Sequence, residues 1–140
     1  IAPLSYQPRL VELARSHSAD MAFRNYVDHI NSEGKDPTDR AIDAKFDCKV
    51  KSYKGVFPTG IGENILMSYL YENIEIVTTN GVEERTYNWK SFEDMAEEIV
   101  RNWMGSKGHR ENILRKDYHY EGIGIATNLN SQIFVTQNFC

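Results

Sequence analysis

Two short β-like segments close this chain side by side, and they constrain its fold more than anything else in the sequence. Gly122-Ile123-Gly124-Ile125-Ala126 and Gln132-Ile133-Phe134-Val135-Thr136 flank Asn128-Leu129-Asn130-Ser131, a turn-forming set. An earlier hairpin signal lies within 73–90. There Ile74-Glu75-Ile76-Val77-Thr78-Thr79 alternates, Asn80-Gly81 is a type I′ turn dipeptide, and Val82 to Trp89 follows. Strands joined by tight turns pair antiparallel. Helical patterns come before and between them. Leu10, Leu13, Ala14, His17, Met21 and Ala22 recur at helical spacing, with Pro8 in the first turn, so a helix is expected from Pro8 to about Val27. Phe92, Met95, Ala96, Ile99, Val100 and Trp103 form a second stripe that stops near Gly105, with Ser91 as N-cap and Asp94 three residues on. Pro37 to Ile42 and Lys107 to about Arg115 read as short helices. Asp47 to Gly62 reads as loop with one short strand, and Glu63 to Met67 is ambiguous. Helices first and paired strands last favour α+β with an antiparallel sheet over a parallel sheet.

Length sets the scale. At 140 residues the chain suits one domain, and roughly 68% of its unfolded surface is buried on folding at that size. With 41% hydrophobic residues it is too apolar for disorder, and no apolar run approaches the ~18 residues of a membrane span. Twenty acidic against 16 basic residues argue against a nucleic-acid face. The chain opens Ile1-Ala2-Pro3-Leu4 without Met or a basic leader, which suggests that upstream chain has been removed.

The two cysteines, Cys48 and Cys140, lie in no CxxC pair, so a redox motif or thiolate zinc site has no support. Either both are free, or one disulfide ties the last residue to mid-chain and places the protein outside a reducing cytosol. No N-x-S/T sequon accompanies them.

The common enzyme fingerprints are missing: no G-x-S-x-G, no H-E-x-x-H, no P-loop, and no third glycine after Gly60-Ile61-Gly62 or Gly122-Ile123-Gly124. Chemistry therefore rests on single polar residues. His17, on the apolar stripe, reads as a core histidine. His119, between two tyrosines, reads as surface. His29 and His109 flank helices, where a side chain can face a cleft. Glu63, in Gly60-Ile61-Gly62-Glu63-Asn64-Ile65, is either a salt-bridged structural carboxylate or a functional one with a raised pKa.

Five stretches in chain order carry a family resemblance. They are Leu10 to Ala22, Asn25-Tyr26-Val27-Asp28-His29, Gly62-Glu63-Asn64-Ile65, Trp103 to Leu114 through Lys107-Gly108-His109-Arg110-Glu111-Asn112, and the closing hairpin through Phe139. The chain resembles the CAP superfamily (cysteine-rich secretory proteins, antigen 5 and pathogenesis-related proteins), most of all its short prokaryotic branch. The resemblance implies a three-layer α-β-α sandwich around an antiparallel sheet, in a secreted single domain spanning 1–140. It also implies a cleft with two histidines, which fall on His29 and His109, and a first acid, which falls on Glu63. The family's second acid position is Ser106 here. Relative to the family, the usual first helix is missing before Ile1, a loss that would leave an apolar face open to self-association.

Two functions follow from that resemblance. One is a secreted, non-catalytic binding module whose polar cleft holds zinc or another divalent cation between His29 and His109, and takes a protein, lipid or small-molecule ligand. The other is a metal-dependent, protease-like hydrolase with Glu63 as general base. Ser106 in place of a carboxylate weakens the second.

Overall fold

A computed structural model describes residues 2–52 and 55–140. Ile1, where the sequence suggests an upstream removal, lies outside them. The chain runs β1 (Ser5–Tyr6), α1 (Pro8–Arg24), α2 (Pro37–Asp43), β2 (Lys49–Ser52), β3 (Gly55–Pro58), β4 (Gly62–Tyr69), β5 (Tyr71–Thr79), β6 (Val82–Trp89), α3 (Phe92–Gly105), α4 (Lys107–Ile113), β7 (Tyr120–Thr127) and β8 (Gln132–Phe139).

The central sheet has the order β1-β7-β8-β4. Its three long strands are antiparallel, with Gly122 opposite Asn138 and Glu63 opposite Asn138 on the other side. The two-residue β1 pairs parallel with β7 at the edge, the one departure from an antiparallel sheet. The ambiguous Glu63 segment is strand β4. The 47–62 stretch holds two paired strands rather than one, β2 and β3.

Alternation on β8 sorts the layers. Phe134 points to α1, where it packs with Met21, Ala22 and Ile65. Ile133 and Val135 point the other way, onto Ile99 and Trp103 of α3. The result is a three-layer α-β-α sandwich. On α3 only Ile99 and Trp103 are buried, while Phe92 and Val100 of the expected stripe stand exposed.

α1 lies directly on β7. A Cβ at Gly122 would sit 2.3 Å from the Leu10 carbonyl carbon, and one at Gly124 would sit 2.1 Å from Arg15 N. Those glycines are spacing devices for the helix and not remnants of a nucleotide fingerprint. α1 ends at Arg24, three residues short of Val27, closed by Asn25 with its left-handed backbone (φ 56°). The Asn80-Gly81 turn has positive φ at both residues, as type I′ requires.

Candidate functional site

The site is built at the free edge of the sheet, where strand alternation sends neighbouring β4 residues to opposite layers. Glu63 goes toward α1 with Ile65, and Asn64 goes toward α4. From the α1 side comes His17, fully buried on the core stripe. Its Nε2 hydrogen-bonds the Asp28 carbonyl oxygen at 2.9 Å, which pins the chain just before His29. Burial holds the His17 pKa below the ordinary histidine value; Glu63 opposes that shift and Arg40 adds to it. The ring is thus the core histidine expected, though its Nδ1 is buried without a partner.

His29 stands half-exposed beside Glu63. Its Nδ1 lies 2.9 Å from Glu63 Oε1, and the hydrogen bond to that carboxylate raises its pKa against the cost of burial. The Glu63 side chain is only 1% exposed. Oε1 takes His29 and lies 3.8 Å from His17 Nε2, while Oε2 is ion-paired with Arg40. An ion-paired carboxylate only accepts, so His29 Nδ1 is the donor, and whenever the ring is neutral Nε2 is its acceptor. The structure thereby gives Glu63 the salt-bridged role among its two sequence readings.

Arg40 comes from α2, a helix started by Pro37 and a capping box between Asp36 and Asp39. Besides Glu63 it donates through Nη1 to the carbonyl oxygens of His29 at 2.6 Å and Lys35 at 3.2 Å. Across the edge strand, α4 carries His109. Asn64 Nδ2 donates to the His109 carbonyl oxygen at 3.1 Å. Asn112 Nδ2 donates to the Glu63 carbonyl oxygen at 3.1 Å and to Asn64 Oδ1 at 2.9 Å. Two amides thus lace α4 to β4. Burial, with His29 as second cause, lowers the His109 pKa and favours a neutral imidazole.

His29, Glu63, Ser106, His109, Asn112 and Arg115 line one cleft of about 450 Å³. All four residues singled out in the sequence, Ser106 included, therefore meet. His119 stays at the surface. The donor set toward a metal is two imidazoles with the Glu63 carboxylate behind one of them. Among the described residues no group of three or more His, Cys, Asp or Glu side chains is arranged to hold a metal ion. Two imidazoles fall short of the four protein ligands of a closed structural zinc centre. The sequence reading missed Arg40, and it gave Asn64 and Asn112 no role. For the asparagines the only signal was their place inside motif stretches. For Arg40 there was none, since its partners in the site, His29 and Glu63, lie 11 and 23 residues away.

Away from the cleft, Cys48 and Cys140 form a disulfide, and no free cysteine remains among the described residues. No described helix is long and apolar enough to cross a membrane.

The family model described as cysteine-rich secretory protein family (CAP) matches residues 1–139. The Bacillus subtilis protein YkwD is 28% identical over 124 residues, covering 89% of this chain and 35% of its own length. The Bacillus subtilis membrane protein YlbC is 24% identical over 139 residues, 99% of this chain and 29% of its own. The chain thus spans about a third of those relatives. An extracellular SCP-domain protein from Bacillus anthracis superposes with a TM-score of 0.61 at 22% identity, covering 99% of this chain and 34% of its own. An outer surface protein of Borrelia burgdorferi gives 0.66 at 14% identity, covering 99% and 77%. At these identities the likeness is one of fold.

Proposed function

The chain belongs to the cysteine-rich secretory protein (CAP) family, and from that premise we propose that it is a secreted, non-catalytic binding module whose cleft takes a divalent cation between His29 and His109. One observation carries this reading over hydrolysis. The Glu63 carboxylate is buried and occupied at both oxygens, by His29 and by Arg40. A general base needs a lone pair within reach of the water it deprotonates. Glu63 instead does what an outer carboxylate does behind a metal-binding histidine: it fixes the tautomer and orients the ring. A bound divalent ion supplies Lewis acidity and open positions for a ligand's oxygen atoms. The disulfide supports secretion, because such bonds persist outside the reducing cytosol. The likeness in fold to an extracellular protein and an outer surface protein points the same way.

Calorimetric titration of zinc chloride into wild type and His109→Ala tests the reading. Wild type is expected to give a saturable heat that His109→Ala loses, and equal heats would overturn it. Metal-dependent peptide cleavage abolished by Glu63→Gln would favour the hydrolase instead.

A further inference from the structure

Arg40 touches the site at two points that belong to the same histidine. Through Nη1 it holds the His29 main-chain carbonyl oxygen at 2.6 Å, and through Nη2 it is ion-paired with the carboxylate that holds the His29 ring. It sits only 10% exposed, beside a carboxylate that is 1% exposed. A guanidinium suits this task because two separate nitrogens of one rigid plane reach the two acceptors, whereas an ammonium offers all its donors from a single nitrogen. α2 is also seated by contacts other than this one. Neighbouring Ala41 packs with Leu10, Leu13, Cys48, Ile61 and Cys140, and the Asp36–Asp39 box closes the helix start. Arg40 therefore reaches from an anchored helix to the back of Glu63 and His29, behind the cleft they line.

We propose that Arg40 is the positioning residue of the cleft: by gripping the His29 carbonyl and the Glu63 carboxylate together, it fixes His29 as the Nδ1–H tautomer and keeps Nε2 as the acceptor offered to a ligand. Without the guanidinium, the Glu63 carboxylate is a buried charge short of a partner, and it moves from its place. His29 then loses the acceptor that holds its tautomer. This inference rests on the cleft acting through His29, and its test is kept separate from metal binding.

Long-range proton–nitrogen NMR of the imidazoles, at a pH where His29 is neutral, reads the tautomer directly. Wild type is expected as Nδ1–H, and Arg40→Gln is expected to shift His29 toward Nε2–H. An unchanged tautomer overturns the proposal. Arg40→Lys keeps the charge without the fork and serves if Arg40→Gln does not fold. It is expected to shift His29 the same way by less, and no shift counts against the proposal. Asp36→Ala removes the α2 cap and leaves Arg40 in place. It is expected to lower the melting temperature with the tautomer intact, and a shift equal to that of Arg40→Gln would reduce Arg40 to a merely structural role. Zinc titration of the same proteins is expected to show a loss of about 10–100-fold in affinity for Arg40→Gln. Wild type that binds no zinc overturns the metal reading, while the tautomer still decides the role of Arg40.

Discussion

Glu63 shows how one buried carboxylate organises its surroundings. It accepts from His29, is paired with Arg40 and lies near His17, and each neighbour comes from a different segment. Removing one partner of a buried pair leaves the other uncompensated, so Glu63→Gln is expected to cost about 3–5 kcal/mol in urea denaturation. The histidines respond to pH in opposite senses. His17 and His109 have folded pKa values below the unfolded value of about 6.5, so their contribution is present above that pH and is lost as pH falls through the folded values. His29 has a raised folded value, so its contribution is complete below about 6.5 and is lost as pH rises through that raised value. Stability measured between pH 5 and 8 is therefore expected to peak near 6.5. His17→Gln is expected to flatten the acid side and His29→Gln the alkaline side. Identical profiles for all three proteins would contradict this linkage.

At the scale of elements, the contact between α1 and β7 is the tightest constraint. A methyl at Gly124 would meet Arg15 N at 2.1 Å and the Ala14 carbonyl carbon at 2.2 Å, so the helix has to lift. Gly124→Ala is expected to destabilise by about 1–3 kcal/mol or more, read by chemical denaturation. The β5–β6 hairpin is the opposite case, since it packs chiefly on itself. Tyr87 and Trp89 stack at 4.9 Å with 10° between planes, and Tyr71 crosses both edge-on. An isolated two-stranded hairpin is marginal in water, so these rings hold it together. Trp89→Ala is expected to reduce amide protection within 74–87 while global stability moves by no more than about 0.5 kcal/mol. Both hairpins were legible in the sequence from turn dipeptides and alternation. The Phe92 and Val100 positions of the α3 stripe were misleading, because helical periodicity reports a face and not how far the sheet extends beneath it.

The whole molecule is fastened at one distant point. Cys48 and Cys140 are 92 residues apart and sit in the same apolar cluster as Leu10, Leu13 and Ala41, so the bond ties the residue after β8 to the residue before β2. Closing a loop of that length restricts the unfolded chain by about 4–5 kcal/mol. Reduction is expected to lower the urea midpoint accordingly, and coincident unfolding curves with and without reductant would refute it. By itself the sequence determined the main helices, both hairpins and an α+β class, while the layering and the grouping of His29, Glu63, Ser106 and His109 in one cleft were what the family resemblance implied. Periods of 2 and 3.6, turn residues and motif stretches are all local signals. Only the tertiary structure decided that Glu63 is held by Arg40, that His29 is its orientation partner, and that Asn64 and Asn112 lace the two walls. Those contacts join residues 23 to 48 positions apart, and packing of the layers around β4, not spacing along the chain, brings them within hydrogen-bond distance.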